Sequence, residues 1–316
     1  MRLIFAGTPD FAIPPLRELH RGGHEIAAVV TRPDRPRGRG QKLQPTPVKR
    51  AALELELPVL QPESINSPEF TDDLRELEPE LGVVVAYGDI LRRPVLQLPD
   101  RGFINLHASA LPAYRGAAPL NWAIINGETR TGITVIRMVE EMDAGPVLAQ
   151  ETTRIEPDDT AGDLHDRLAD LGARVLRKVV DDMEAGNPPD EAPQDDSQAS
   201  YAPMLSGEDR QVDWTRSARQ VRNLVRGLTP WPGARTTLRT AAEGEIGMTP
   251  LEMEADEHAD SEQPPGTVLR TEDNELVVQT GRGTVTIKRM KPAGGRAMPA
   301  ADFLNGHEVQ PGDTFD

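Results

Sequence analysis

Asn105 and His107 are two polar residues within an otherwise apolar stretch that begins at Phe103. Successive side chains of a strand point to opposite faces, so Asn105 and His107 share one face of this stretch. An amide and an imidazole placed side by side can donate hydrogen bonds to the negative charge that develops on a carbonyl oxygen during acyl transfer. The same pair also fits a strand that frays into a polar loop, so the pattern alone leaves both interpretations open.

A carboxylate that could join this pair is Asp143, in a turn formed by residues 140–146. Aspartate is common in turns because it hydrogen-bonds its own backbone, so Asp143 alone also fits an ordinary turn. Where adjacent strand ends bring the turn close to His107, the carboxylate would orient the imidazole. We therefore treat Asn105, His107 and Asp143 as one candidate catalytic group.

Short apolar runs alternate with helical patterns over about the first 190 residues, which predicts an open, mostly parallel α/β sheet. The apolar run VVVAY is typical of a central strand that is covered on both faces. Functional sites of such sheets lie beyond the carboxyl ends of the strands, where Asn105 and His107 stand. The predicted strands are residues 3–6, 26–31, 82–87, 103–107, 134–138 and 147–154, and the predicted helices are residues 14–21, 48–55, 68–77, 119–126 and 160–184.

The composition changes near residue 185. Residues 185–200 are rich in Pro, Asp and Ser and contain no basic residue, which is typical of a solvated linker. Residues 212–228 then predict an amphipathic helix, and short β-like runs separated by turn residues predict a small β-barrel. We expect a first domain over residues 1–188, a linker over 189–205 and a second domain over 206–316.

Several classes of protein and site are disfavoured by composition and motifs. The chain has no cysteine, so it can form no disulfide, thiolate metal site or cysteine nucleophile. After the first strand only Gly7 of a dinucleotide-binding glycine fingerprint is present, which disfavours an NAD-dependent enzyme, and no phosphate-binding loop motif occurs. No segment approaches about 18 uninterrupted apolar residues, so we expect a cytoplasmic protein that does not span a membrane. We also expect no metal.

Basic residues are concentrated locally although the formal net charge is −16. Residues 32–50 contain seven basic residues and one acid, which fits either a flexible solvated insertion or a surface for a polyanion. Two further basic groups lie on the predicted helix, on the side away from its apolar stripe, and on the predicted barrel. The candidate polyanion-binding residues are Arg37, Arg39 and Lys42 in the first segment, Arg216, Arg219, Arg222 and Arg226 on the helix, and Lys288, Arg289 and Lys291 on the barrel.

The segments INLHASALPAYRGAAPL, VVVAYGDIL and MDAGP together resemble those of the formyl-tetrahydrofolate-dependent formyltransferases. FAGTPDFA near the start and KPAGGRAMPAADFLNG near the end extend the resemblance over nearly the whole chain. The resemblance implies a Rossmann-like amino-terminal domain that holds the formyl donor and an OB-fold-like barrel that helps to hold tRNA. It maps the catalytic residues of the family onto Asn105, His107 and Asp143.

The same resemblance implies 10-formyltetrahydrofolate as co-substrate. The residues that it assigns to folate binding are Ser109, Ala110, Leu111 and Pro112 in one segment and Tyr87, Gly88, Ile90 and Leu91 in another. Ala110 stands where the family usually has leucine, and Asp89 stands where apolar or basic residues are more familiar. Neither difference affects the three catalytic positions.

We therefore expect a monomeric enzyme that formylates the amino group of methionyl initiator tRNA, giving N-formylmethionyl-tRNA for translation initiation. One alternative is a formyltransferase for a small amine such as glycinamide ribonucleotide or an amino sugar. Another is a tRNA- or folate-binding module without catalysis. The barrel and the basic segments favour the tRNA substrate because a small substrate needs neither, and the three intact catalytic positions favour an enzyme.

Overall fold

The computed structural model describes residues 1–37, 42–259, 261–272 and 275–316. These residues form two units, of which the amino-terminal unit contains Met1–Pro119, Arg130–Thr153 and His165–Ala202. The carboxy-terminal unit contains Leu120–Thr129, Arg154–Leu164 and Pro203–Asp316. The two units therefore interleave along the chain, and the consecutive domain limits at residues 188 and 206 stay a prediction.

The described elements before residue 203 alternate between strands and helices, as the sequence pattern predicts. The strands are β1 (Arg2–Gly7), β2 (Glu25–Val30), β3 (Arg35–Arg37), β4 (Lys42–Gln44), β5 (Val59–Leu60), β6 (Leu81–Val85), β7 (Phe103–His107), β8 (Arg115–Gly116), β9 (Arg130–Arg137), β10 (Val147–Arg154) and β11 (Tyr201–Ala202). The helices are α1 (Ile13–Arg21), α2 (Pro47–Glu54), α3 (Pro68–Glu76), α4 (Arg93–Leu96), α5 (Pro119–Ile125) and α6 (Ala161–Glu184), with short 3₁₀ turns at Asp10–Ala12 and Asp196–Gln198.

The main sheet of the amino-terminal unit has the strand order β10-β9-β7-β6-β1-β2-β5. Strands β5, β2, β1, β6 and β7 pair in parallel, and β9 is antiparallel to β7. All five residues of the central strand β6 are buried, as expected for a strand that is covered on both faces. The sequence-based expectation of an open, mostly parallel α/β sheet is confirmed.

Local sequence signals explain where the flanking helices begin. The side chain of Thr46 accepts a hydrogen bond from the Lys49 amide at the start of α2, and Ser67 caps α3 through the Phe70 amide in the same way. Proline follows each cap at the first helical position, where its missing N–H costs nothing. These caps fix the residues at which the two flanking helices α2 and α3 begin.

The carboxy-terminal unit is built on an antiparallel sheet with two helices. After a 3₁₀ turn at Glu208–Arg210, its elements are α7 (Ala218–Leu228), β12 (Thr236–Thr240), β13 (Gly244–Asp256), β14 (Val268–Arg270), β15 (Leu276–Gln279), β16 (Thr284–Pro292), β17 (Met298–Pro299), α8 (Ala300–Gly306) and β18 (Thr314–Phe315). The strand order is β14-β15-β16-β13-β12-β18, with β17 beside β16.

This sheet curls into a nearly closed barrel. The Phe315 amide donates to the Gly266 carbonyl at 2.8 Å, and the Val268 amide donates to the Asp313 carbonyl at 2.8 Å, so backbone bonds join the last strand to the region of β14. Helix α7 begins with a capping box formed by Ser217 and Gln220 and buries its apolar stripe in the barrel core. The expected small β-barrel is confirmed. None of the helices in the described parts of the chain is long and apolar enough to cross a membrane.

Candidate active site

Strand β7 presents Asn105 and His107 on one face, as its sequence predicts. The strand is hydrogen-bonded on both sides, to β6 and to β9. The ring of Phe103 at its start lies against Gly82 of β6, where a Cβ atom would come within 2.1 Å of the ring. His107 is only 6% exposed, and Asn105 is partly exposed. The fixed strand therefore holds the imidazole and the amide with little freedom to move.

The structure brings Asp143 to this pair. Its Oδ1 atom accepts a hydrogen bond from Asn105 Nδ2 at 3.3 Å, and its Oδ2 atom lies 3.6 Å from His107 Nδ1. The Asp143 side chain is 12% exposed. Amide, imidazole and carboxylate thus converge in the amino-terminal unit, from residues 38 positions apart in the chain.

The route by which Asp143 reaches the site differs from the expected meeting of adjacent strand ends. Since β9 runs antiparallel to β7, Arg137 at its end pairs with Ile104 near the start of β7. The loop of residues 138–146 must therefore fold back along β7 before Asp143 meets His107. Gly145 permits this path because a Cβ atom there would lie 1.8 Å from the Arg137 carbonyl oxygen.

The two ring nitrogens of His107 have different surroundings. Nε2 lies 2.9 Å from the Tyr114 carbonyl oxygen, and because a carbonyl can only accept, Nε2 carries hydrogen and donates. Nδ1 then faces the Asp143 carboxylate at 3.6 Å, just beyond hydrogen-bond distance. Nδ1 is therefore the ring nitrogen that is placed to exchange a proton with the site.

The main chain of Asp143 has a left-handed conformation, with φ of 53°. Such a conformation is uncommon for residues other than glycine and persists where neighbouring groups hold it. Here the Gly116 amide donates to Asp143 Oδ2 at 2.8 Å, whereas Asn105 donates to the other carboxylate oxygen. Each carboxylate oxygen thus accepts one hydrogen bond and keeps a lone pair for a further partner.

The predicted folate segment after β7 is ordered by its own hydrogen bonds. The Ser109 hydroxyl donates to the Ala113 carbonyl at 2.6 Å, and the Leu111 amide donates to Thr134 Oγ1 at 3.1 Å. Ser109 and Leu111 are buried, whereas Ala110 and Pro112 are partly exposed. The exposed positions of this segment are therefore the ones available to a ligand.

The second predicted folate segment divides in the same way. Tyr87 and Leu91 are each 2% exposed and belong to the core, and burial raises the pKa of the Tyr87 phenol to about 12. Gly88 and Ile90 are exposed, and Ile90 is 60% exposed although it is apolar. Met142, next to Asp143, is also an exposed apolar side chain, at 56%. These apolar side chains offer contact area to a flat aromatic ligand.

The candidate basic residues of segment 32–50 are only partly described. Arg39 lies outside the described residues. The backbones of Arg37 and Lys42 pair with each other in the β3–β4 hairpin. At the base of this hairpin Lys49 Nζ lies 2.7 Å from Asp34, and Arg32 lies 2.9 Å from Asp89, the residue at the unusual position of the second folate segment.

The four arginines of the α7 region do not form one exposed stripe. Arg216 and Arg219 are exposed, with side-chain exposures of 63% and 70%, and pair with Asp213 and Glu257. Arg222 donates to Asp158 at 2.5 Å and to the Met253 carbonyl at 3.1 Å. Arg226 bonds to the Asn223 side chain and the Asp159 carbonyl, and burial lowers its pKa. Arg222 and Arg226 are thus partly buried and bonded within their own unit, and the prediction that all four arginines bind a polyanion stays a prediction.

On the barrel, Arg289 and Lys291 are exposed, and neither forms an ion pair within the described residues. Lys288 differs because its ammonium lies 3.0 Å from Glu254 and 3.4 Å from Glu275. Lys291 also borders a cleft of about 430 Å³ on the barrel that contains Arg235 and does not include the Asp143 site. Arg289 and Lys291 are thus the barrel cations that are most available to an external anion.

Sequence reasoning missed four residues that support the site. Thr134 is fully buried, and its hydroxyl donates to the Ser109 carbonyl at 2.7 Å and accepts from Gln150 at 3.0 Å. Arg115 donates to Gln194, and Gln194 in turn donates to the main chain around Asp143. Thr134 could have been found from the predicted pairing of its strand with β7. Gln194 gives no such signal, because it lies in a segment whose composition predicts a solvated linker.

In the described parts of the chain, no group of three or more His, Asp or Glu side chains is arranged to hold a metal ion. Known proteins nevertheless share the sequence and the fold of this chain. The family model described as formyl transferase matches residues 1–180, and the model described as formyl transferase, C-terminal domain, matches residues 204–308.

The curated relatives and solved structures agree with these models. A methionyl-tRNA formyltransferase of Geobacter sulfurreducens is 48% identical over 99% of this chain and 96% of its own length. One of Heliobacterium modesticaldum is 48% identical over the full length of both chains. HypX from Aquifex aeolicus in complex with tetrahydrofolic acid shares the fold with a TM-score of 0.64 at 19% identity, over 99% of this chain and 50% of that one.

A second solved structure also shares the fold. The N-formyltransferase of Helicobacter canadensis, in complex with folinic acid and dTDP-3-aminofucose, gives a TM-score of 0.66 at 16% identity, over 90% of this chain and 98% of that one. The likeness to these structures is one of fold. Together with the family models and the relatives of nearly half-identical sequence, it leads to one conclusion: the chain belongs to the formyl transferase family.

Proposed function

We propose that this protein transfers the formyl group of 10-formyltetrahydrofolate to the α-amino group of methionyl initiator tRNA. The observation that carries the proposal is the convergence of Asn105, His107 and Asp143 in the amino-terminal unit. An amide donor, an imidazole and a carboxylate at these distances suit acyl transfer to an amine, since that reaction needs stabilisation of an oxyanion and removal of a proton.

The donor is consistent with the surroundings of the three groups. When bound, 10-formyltetrahydrofolate supplies the formyl group as a reactive amide at its N10 atom. The partly exposed Ala110 and Pro112 and the exposed Ile90 and Met142 provide apolar surface for its aromatic rings. The tetrahydrofolic acid in the complex of HypX supports this choice of donor, as does the match of the formyl transferase model to residues 1–180.

Asn105 is the residue that we assign to the formyl oxygen. One N–H of its amide donates to Asp143, and the second has no partner within the described residues. Because Asp143 fixes the orientation of the amide, the second N–H can point at the oxygen on which charge develops. Preorganised donors of this kind stabilise the transition state without reorganisation during the reaction.

His107 and Asp143 are the residues that we assign to proton transfer. The attacking amine must lose a proton, and the Asp143 carboxylate keeps a free lone pair on each oxygen for it. His107 is locked by its bond to Tyr114, so Nδ1 stays directed at the carboxylate. It can pass the proton, directly or through one water, toward the donor's N10 nitrogen, which needs a proton when its bond to the formyl carbon breaks.

The choice of tRNA as the acceptor is supported by the relatives and by the carboxy-terminal unit. The relatives that are 45–48% identical over nearly the whole chain are named methionyl-tRNA formyltransferase. We place the polyanion surface on the exposed cations Arg216, Arg219, Arg289 and Lys291, together with Arg37, Arg39 and Lys42 of the basic segment 32–50. A monomeric state and a cytoplasmic location stay predictions.

A formyl-transfer assay with three acceptors tests the proposal. We expect rapid formylation of charged initiator tRNA and none of uncharged tRNA, because only the former carries a free α-amine. We expect little formylation of glycinamide ribonucleotide. Preferred use of the small amine would overturn the choice of acceptor, and lack of transfer to any amine would overturn the proposal as a whole.

A further inference from the structure

Gln194 uses all of its hydrogen-bonding groups around the Asp143 turn. Its Nε2 atom donates to the carbonyl oxygens of Asp143 and Gly145, both at 2.7 Å. Its Oε1 atom accepts from Nε and Nη2 of Arg115 at 3.1 and 2.8 Å. The side-chain amide is thus saturated, with two donated and two accepted bonds.

Arg115 makes this arrangement rigid. Arg115 is only 2% exposed, and its guanidinium also donates to the Asp196 carboxylate at 2.7 Å. The Arg115 amide donates to the Ser200 carbonyl, and β8, which contains Arg115, pairs with β11. A buried guanidinium with several fixed partners presents its N–H groups in one direction, so Gln194 has one orientation in which all bonds form.

Gln194 and Gly116 hold Asp143 at its main chain and at its side chain. Gln194 binds the carbonyls on the main chain of the turn, and Gly116, which follows Arg115, donates to the carboxylate. Asp143 has a left-handed main chain, which needs such support. Without the donors of Gln194, the turn is free to relax, and the distance from Asp143 Oδ2 to His107 Nδ1 is no longer fixed.

We propose that Gln194, oriented by the buried Arg115, is a positioning residue that fixes the Asp143 turn so that the carboxylate stays beside His107. Gln194 touches neither substrate nor reacting atom in this account, and it acts through Asp143. The inference rests on the proposed function, since it assigns Asp143 a role in formyl transfer. Residues 189–205, which the sequence predicts to be a linker, would then have a role in catalysis through Gln194.

Two substitutions separate the donors of Gln194 from its packing. Gln194→Ala removes all four bonds, whereas Gln194→Glu keeps the shape and the acceptors for Arg115 but places a carboxylate oxygen against the carbonyls of Asp143 and Gly145. We expect kcat to fall about 10- to 100-fold in both variants, because displacement of a catalytic group by about 1 Å costs up to about 10²-fold. We expect KM for both substrates to change less than about two-fold.

Gln198→Ala is the matched control. Gln198 lies in the same segment and is exposed, and within the described residues its side chain bonds only to the nearby Asp195, at 2.7 Å. We expect this variant to keep wild-type kcat and melting temperature. A loss of kcat in Gln198→Ala equal to that in Gln194→Ala would overturn the proposal, since the segment as a whole would then be responsible.

A double-mutant cycle with Asp143→Ala distinguishes a positioning role from a merely structural one, because it measures whether the rate loss caused by Gln194→Ala depends on the Asp143 carboxylate. If Gln194 acts through Asp143, Gln194→Ala lowers the residual single-turnover rate of Asp143→Ala less than about two-fold. An equal fold-loss in both backgrounds would overturn the proposal, as would wild-type kcat in Gln194→Glu.

Amide hydrogen exchange provides a measurement that does not depend on activity. The Gly116 amide is protected by its bond to the Asp143 carboxylate, so we expect about ten-fold faster exchange in Gln194→Glu and no change in Gln198→Ala. Unchanged Gly116 exchange in Gln194→Glu would overturn the positioning role. If instead exchange responds as expected but the wild-type protein formylates no amine, the proposed function fails and the positioning of Asp143 stands.

Discussion

The surroundings of Asp143 and the arginines of the α7 region hold their charges in opposite ways. Asp143 is 12% exposed, and both of its oxygens accept hydrogen bonds from groups fixed in the backbone or on a strand. Arg219 is 70% exposed, and its contact to Glu257 is 3.4 Å long. One charge is fixed in position by its neighbours, and the other is surrounded by water.

This difference determines what each region can do. Charges in a partly buried site interact strongly and in one geometry, because little water screens them. Exposed ion pairs contribute about 0–1 kcal/mol to the free energy of unfolding and weaken with salt. Their flexible basic side chains can therefore exchange an acidic partner for a phosphate group. The first arrangement suits bond formation at a defined atom, and the second suits binding of a large polyanion.

The largest effect is expected at Asn105. Asn105→Ala removes the N–H that we assign to the formyl oxygen, and loss of one such donor costs about 10²–10³ in kcat. The loss appears in kcat measured at saturating concentrations of both substrates, with a melting temperature close to that of the wild type. A fall of less than about five-fold would contradict the comparison, because the fixed site would then behave like the exposed surface.

The second prediction concerns the stability that individual arginines of the α7 region contribute. Arg222 is 23% exposed and is bonded to Asp158 and the Met253 carbonyl, so Arg222→Ala is expected to cost about 1–2 kcal/mol of stability. Arg219→Ala, the matched change at an exposed position, should cost less than about 0.5 kcal/mol. Thermal unfolding of both variants measures this difference, and equal shifts in melting temperature would show that exposure does not distinguish them.

A smaller effect concerns salt. The double variant Arg289→Gln/Lys291→Gln is expected to flatten the dependence of log(kcat/KM) for tRNA on log salt concentration, by a slope change of about 1.4–1.8, since each of the two lost phosphate contacts removes about 0.7–0.9. Lys288→Gln is the control, because Lys288 donates a hydrogen bond to the Glu254 carboxylate, which holds the ammonium and raises its pKa. A slope change in Lys288→Gln as large as in the double variant would mean that ion pairing does not decide which cations bind tRNA.

The smallest effect at neutral pH is expected at Tyr87. Burial raises the pKa of its phenol to about 12, above the value of about 10 in the unfolded chain. The stabilisation is complete below pH 10 and is lost as the pH rises from 10 to 12, by up to about 2.7 kcal/mol for two pKa units. Tyr87→Phe should therefore lose less stability than the wild type between pH 8 and pH 11. Parallel losses of melting temperature in the two proteins would contradict the assignment.

Much of the amino-terminal fold follows from local sequence patterns. Residues 103–107 and 147–154 are strands as predicted, because alternating or continuous apolar residues define a strand without reference to distant parts of the chain. The short elements β5, β8 and α4 were not predicted, since two to four residues carry too weak a pattern. Their formation depends on neighbours that the tertiary fold supplies.

The site is predictable to the extent that its residues stand on regular elements. The strand pattern predicts the shared face of Asn105 and His107. The sequence also indicated Asp143 as a candidate, but it did not predict that the loop containing Asp143 folds back along β7. Gln194 was not found because its partners are 49–79 residues away, and its neighbours in sequence are typical of solvated chain. Likewise the inward bonds of Arg222 depend on Asp158, 64 residues away. Long-range hydrogen bonds leave no periodic pattern in the sequence.

The central claim is that Asn105, His107 and Asp143 act together on one carbonyl carbon. Single-turnover formylation of charged initiator tRNA by the three single alanine variants and the triple variant tests it most directly. The account predicts that each single variant is at least about 100-fold slower than the wild type and that the triple variant is within about ten-fold of the slowest single one, because groups that act as a unit are not additive. Rate losses that multiply in the triple variant, or a near-normal rate in any single variant, would contradict it.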